Sequence, residues 1–224
     1  MGREKEMTKR EEVLINVHKG LRRGLLGLSI RIGHLDWSDR EEVKAAGEEL
    51  AKLLHFLREH AANEDEVQFP MLEKKDARAV CAVKEDHLRL EPMIEELEND
   101  WNEILKSHDK SQAGYEFYRD YNRFLSDYLA HMDKEEGEFT EAVYSHFTDQ
   151  EIAEEFKKII AHTTPQDMGM MLGYMIPGMN AEERAGFLLK LKSTAPPEVF
   201  EKVKGLAQKV LAPADWQKLS VRLG

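Results

Sequence analysis

Apolar residues recur every three or four positions through most of the first 146 residues, the period of a helix that buries one stripe. Four stripes can be followed. The first is Leu14, His18, Leu21, Leu25, Leu28 and Ile32, and the second is Leu53, Leu57, His60, Glu64, Val67 and Met71. The third is Val80, Val83, His87, Leu90, Ile94, Leu97, Trp101 and Ile104, and the fourth is Phe117, Tyr121, Phe124, Tyr128, His131 and Glu135. They predict helices over 8–32, 39–72, 76–106 and 112–146, separated by Gly33 to Ser38, Glu73 to Asp76 and Ser107 to Ser111. Ser38 and Glu41 have capping-box spacing at the second helix start. No strand-like alternation stands out. The expectation is an all-α, antiparallel up-down four-helix bundle over residues 8–146.

The pattern changes near residue 147. Pro70 and Pro92 are the prolines of the first 164 residues, whereas Pro165, Pro177, Pro196, Pro197 and Pro213 crowd the rest. This predicts a C-terminal extension of short helices, residues 147–224, packed on or beside the bundle. Thr148 with Glu151, and Asn180 with Glu183, fit capping boxes, and Pro165 and Pro197 suit first-turn positions. Met168, Met170, Met171, Met175 and Met179 fall in one short stretch. Soft-metal binding or a flexible partner surface could explain them, but an apolar helix docked on the bundle is the favoured reading. No tandem repeat is apparent.

Composition narrows the function. The chain has 224 residues and a net charge of −11, so neither nucleic acid nor an anionic membrane is an expected partner. Cys81 is the single cysteine, which rules out an internal disulfide or a cysteine-built metal site. The N-terminal residues lack an apolar signal core, and no run of about 18 apolar residues exists. The expected location is the cytoplasm.

The seams are apolar except at His18, His60, Glu64, His87, His131 and Glu135. Each helix carries one seam histidine. Glu64 and Glu135 each follow a histidine by four, which stacks the pair on one face. Counting from the predicted turns, His60, His87 and His131 reach one depth, and a longer first connection brings His18 to the same layer. Two carboxylates and four imidazoles facing one another in a dry core repel and lose hydration. Divalent cations remove the conflict, with the carboxylates bridging two ions and open coordination positions left over.

At these residues the chain resembles the hemerythrin-like (HHE cation-binding) domain family. The resemblance spans residues 8–146 and rests on His18, His60-x-x-x-Glu64, His87 and His131-x-x-x-Glu135, together with Phe69-Pro70-Met71-Leu72. Val83 stands where the marine oxygen carriers have a second histidine, one turn before His87. The four-His, two-Glu set is similar to the bacterial branch that includes iron-centre repair proteins. The resemblance implies two iron ions (Fe2+/Fe3+), oxo-bridged, with zinc or manganese as substitutes, and reactivity toward O2, NO or peroxide for sensing or detoxification. If the protein is an enzyme, it would be an oxidoreductase acting on peroxide or NO. The rival readings are iron storage or donation for repair of iron centres, and an interaction module that metal only stabilises.

Other residues are secondary. Glu91, four after His87, is a candidate seventh ligand, though a flanking helix charge is the favoured reading. Tyr128 is a candidate hydrogen-bond donor beside the metals. His55 is expected off the site, and His34, His108, His146 and His162 in or near solvated connections. Cys81 is expected to be an inert residue off the seam.

Overall fold

The computed structural model describes Arg10 and residues 14–224, so the predicted helix start at residue 8 lies outside the described residues. The described chain is helical, with no strand. Its long helices are α1 (Ile15–Gly33), α2 (Arg40–Asn63), α4 (Ala77–Lys106) and α5 (Lys110–Lys134). The short helices α3 (Phe69–Glu73) and α6 (Thr140–His146) prolong α2 and α5 beyond two π-helical turns, Glu64–Gln68 and Glu135–Phe139. After these come α7 (Asp149–His162), α8 (Pro165–Gly178), α9 (Ala181–Thr194), α10 (Pro197–Val210) and α11 (Pro213–Leu223). No helix among the described residues is long and apolar enough to cross a membrane.

The long helices close a ring: α1 packs on α2 and α5, and α4 packs on α2 and α5. The predicted seams meet inside it, with Leu21, Leu25, Leu28, Leu57 and Tyr121 fully buried. At about 25 cal/mol per Å2 of apolar surface removed from water, each such side chain contributes roughly 1.5–3 kcal/mol. Helix α2 starts one residue later than the capping-box reading implies. Asp39, not Ser38, caps it by accepting from the Glu41 and Glu42 amides, while Ser38 turns back to Asp36. Asp39 wins because an ionised carboxylate accepts amide hydrogen bonds more strongly than a hydroxyl and suits the helix dipole.

The π turns correct the second seam. Each inserts one residue into the helical count, closed by the Phe69 amide on the Glu64 carbonyl and the Thr140 amide on the Glu135 carbonyl. Beyond Glu64 the buried positions are therefore Gln68, Phe69 and Leu72, while the predicted Val67 and Met71 are only partly covered.

The C-terminal helices carry a period that the sequence conceals. Helices α7 to α11 begin at Asp149, Pro165, Ala181, Pro197 and Pro213, each sixteen residues after the last. From α8 onward the inward positions repeat at the same interval: Met171, Phe187, Val203 and Leu219 join one cluster, as do Met175, Leu191, Ala207 and Leu223. Helix α8 packs on α10, and α9 on α11, the alternate stacking of a helical repeat array. The repeat is one of burial rather than identity, because the array needs only an apolar volume at each position. The capping boxes at Thr148–Glu151 and Asn180–Glu183 form as expected.

Helix α8, which holds the methionine-rich segment, joins this array to the ring. It lies against α1 and α2, with the Tyr174 ring stacked on Phe56 at 5.3 Å. Two glycines permit the approach. A Cβ at Gly178 would lie 2.8 Å from the Lys19 carbonyl carbon and oxygen, and one at Gly20 would lie 2.9 Å from the Met175 amide nitrogen. The obstacles are backbone atoms, which cannot rotate away. Gly178→Ala is therefore expected to cost about 1–3 kcal/mol of stability by denaturant titration, the range for forced overpacking. An unchanged midpoint would show that α8 is not seated on α1 in this way.

Candidate metal centre

All six seam residues converge in one layer. His18 comes from α1, His60 from the end of α2, His87 from α4 and His131 from α5, while Glu64 and Glu135 open the two π turns. His18, Glu64, His131 and Glu135 are at most 1% exposed, His60 is 6% and His87 is 9%. The first two helices are joined by the six-residue connection 34–39, where the Asp39 amide bonds the Asp36 carbonyl. Across it His18 Nε2 lies 3.1 Å from His60 Nε2.

Each glutamate reaches both halves of the cluster. Glu64 Oε1 is 3.3 Å from His60 Nε2, while its Oε2 is 3.5 Å from His87 Nε2. Glu135 Oε2 is 3.4 Å from His18 Nε2, while its Oε1 is 3.1 Å from His131 Nε2 and 3.7 Å from His87 Nε2. Two overlapping ligand groups result: His18, His60, Glu64 and Glu135, and Glu64, His87, His131 and Glu135. Within each, the donor atoms lie within 4.8 Å of one another.

Hydrogen bonding does not account for this convergence. Both carboxylate oxygens of Glu64 and of Glu135, and Nε2 of His87 and His131, are buried without a hydrogen bond of acceptable geometry. Such atoms ordinarily find partners, because an unsatisfied buried polar group costs about 1–3 kcal/mol and more when charged. Here they aim at common points rather than along donor–acceptor lines. The donor set of imidazole nitrogens and carboxylate oxygens suits first-row divalent metals, and either group could hold a metal ion.

The electrostatics of the protein alone express the same conflict. Burial, and then the neighbouring Glu135, push the Glu64 carboxyl well above its ordinary range. Burial, followed by His18, pushes His60 well below its usual value. For Glu135 burial acts upward, but the nearby His131 and His87 rings outweigh it and hold the carboxyl low. For His87 burial acts downward, yet the three carboxylates around it, Asp65, Glu135 and Glu64, prevail and push it up to about 11.

The hemerythrin HHE cation-binding domain family model matches residues 11–143 of the chain. The chain belongs to that family. No curated protein and no solved structure matches it. The family match covers the ring of long helices and stops before α7, so the helical array lies outside it.

The remaining sequence candidates divide clearly in this hemerythrin-family chain. Glu91 is exposed and belongs to neither ligand group. Tyr128 is buried, with its ring 5.5 Å from His131 and its hydroxyl lacking a hydrogen-bond partner. Burial, then Glu135 and Glu64, raise that phenol well above its ordinary value. His55 bonds Asp167 at 2.8 Å, away from the centre. His34 and His108 are exposed, His162 bonds the Lys158 carbonyl, and His146 lies 3.8 Å from Asp76. Cys81 is exposed.

Three carboxylates around the centre escaped the sequence reading. His18 Nδ1 bonds Glu136 Oε1 at 2.8 Å, and Asp65 Oδ1 is 3.1 Å from His87 Nδ1. Asp86 Oδ2 is 3.7 Å from His131 Nδ1. Each is the immediate sequence neighbour of a seam residue. The available signal was the acid directly after each motif glutamate, Asp65 and Glu136, which a regular helical count directs away from the core.

Proposed function

We propose that this protein is a non-haem di-iron protein that binds and reacts with O2, NO or peroxide, in sensing or in peroxide and NO detoxification. The observation that carries this reading is the pair of ligand groups sharing Glu64 and Glu135. His18 and His60 would hold one ion, His87 and His131 the other, and the two glutamates would bridge them. Two bound irons supply redox chemistry and open coordination positions for a small exogenous molecule. The protein's own part is to fix the ligands on four helices, exclude bulk water and place the Tyr128 phenol beside His131. The proposed scaffold is the antiparallel up-down four-helix bundle of residues 8–146, with residues 147–224 as a helical extension, in the cytoplasm. The ring of helix contacts and the short connections support that arrangement.

Burial favours this reading over iron donation. Every ligand is at least nine-tenths buried, which opposes the fast exchange that a donor requires. Metal analysis of protein from iron-replete cells, with its near-UV and visible spectrum, tests the proposal. The expected result is two irons per chain and charge-transfer bands that change on adding O2, NO or H2O2. Zinc alone, or a spectrum indifferent to all three, would overturn it.

A further inference from the structure

The two π turns do something beyond shifting a seam. An α-helix sends consecutive side chains about 100° apart, so only one of two adjacent acids would ordinarily face a given neighbour. At Glu64–Asp65 and Glu135–Glu136 the wider turn lets both acids serve the histidine layer. The first of each pair lies among the Nε2 atoms, and the second approaches the outward ring nitrogen of a histidine on another helix. Glu136 reaches from α5's extension to His18 on α1, and Asp65 from α2's extension to His87 on α4.

We propose that Glu136 and Asp65 are positioning residues for the metal centre, each fixing the orientation and tautomer of a ligand histidine on the next helix. The inference rests on the metal reading above. Its geometric basis is strongest at Glu136. That carboxylate accepts from His18 Nδ1 at 2.8 Å, which turns Nε2 toward Glu135 and His60. Arg22 donates to the same Glu136 oxygen from the solvent side, so the chain Arg22, Glu136, His18 runs from surface to centre. A histidine held by a carboxylate at one nitrogen presents a more basic and better-oriented donor at the other. Asp65 lies 3.1 Å from His87 Nδ1, within reach but off the line of the ring N–H, and is half-exposed. Because His87 is the least buried of the six ligands, Asp65 also stands where the centre comes nearest to solvent.

Neither acid is a metal ligand in this assignment, which separates its test from that of the centre itself. Wild type, Glu136→Ala, Glu136→Gln, Asp65→Asn and the control Glu66→Gln are loaded with cobalt(II). Glu66 is a nearby exposed acid outside both ligand groups. Affinity and release rate are read by chelator competition. The exchangeable, hyperfine-shifted Nδ1–H signals of ligated histidines are read by proton NMR, and melting of the metal-free proteins controls for folding. Glu136→Ala is expected to bind cobalt about 10–100-fold more weakly and to release it faster, as outer carboxylates do when removed. It should also alter one Nδ1–H signal, and Glu136→Gln, which can still accept the bond, should fall between it and wild type. Asp65→Asn is expected to perturb a different signal, and Glu66→Gln none. Wild-type affinity and an unperturbed signal in both Glu136→Ala and Asp65→Asn would overturn the positioning role while leaving the centre standing. An equal loss in Glu66→Gln would overturn it as a general charge effect. Failure of wild type to bind cobalt or iron at all would remove the metal reading and this inference with it.

Discussion

Glu64→Gln is expected to empty both halves of the centre at once, whereas His131→Ala should disable only one. Glu64 sends one oxygen toward His60 and the other toward His87, so it belongs to both ligand groups, while His131 belongs to the second alone. Glutamine preserves the shape of the side chain but removes its charge and turns one oxygen into a nitrogen that cannot ligate in the same way. Loss of a direct ligand should exceed the 10–100-fold typical of an outer residue, so a fall of at least about 100-fold in affinity at both sites is expected. His131→Ala should leave the pair His18 and His60, with both glutamates, able to hold a single ion. Calorimetric titration with ferrous or cobaltous ion, together with metal per chain after gel filtration, distinguishes the variants. If both lost the same single ion, Glu64 would not be shared between the sites.

The second large effect concerns stability without metal. Two buried carboxylates lacking well-formed hydrogen bonds lose hydration and repel each other, a cost that prevails at Glu64 and that His131 and His87 offset at Glu135. Glu64→Met/Glu135→Met keeps the side-chain length and removes both charges. Exchanging buried ionic groups for apolar ones of similar volume is often stabilising by about 1–4 kcal/mol. The metal-free double variant is therefore expected to exceed metal-free wild type by roughly that amount in denaturant titration. Metal should reverse the order, since a ligand at 100 times its dissociation constant adds about 2.7 kcal/mol to wild type and nothing to a variant that cannot bind it. A double variant less stable than wild type, both without metal, would mean that the glutamates hold the helices together by themselves. The centre would then be a structural ion-pair network, and the case for a resident metal would lose its energetic basis.

The residues that matter most are legible in the sequence because helical periodicity and chemistry disagree at six positions. A polar residue in phase with Leu21 and Leu25, or with Tyr121 and Phe124, must enter the core, and His18 and His131 do. The i, i+4 spacing of His60 with Glu64, and of His131 with Glu135, places each pair on one face whatever the neighbouring helices are. What misleads the count is local. The π turn after Glu64 moves burial from Val67 and Met71 to Gln68, Phe69 and Leu72. The extra residue is closed into the helix by the Phe69 amide on the Glu64 carbonyl, a five-residue span that a 3.6-residue period does not record.

Short-range rules are enough to settle the helical class, the four seams, the six polar residues upon them and the place of Cys81 off the seam. Those rules are the 3.6-residue period, capping, and the cost of burying charge, and all of them can be applied to the amino-acid order directly. Packing alone settles that Glu64 faces histidines from two helices and Glu135 histidines from three. It also brings Glu136 beside His18 and Asp65 beside His87, and sets α8 to α11 in a sixteen-residue stack that no repeated letters announce. Those features depend on distances between atoms far apart in the chain. Pattern along one helix fixes the face a residue occupies, but the identity of what that face meets is set by the packing of all the helices together.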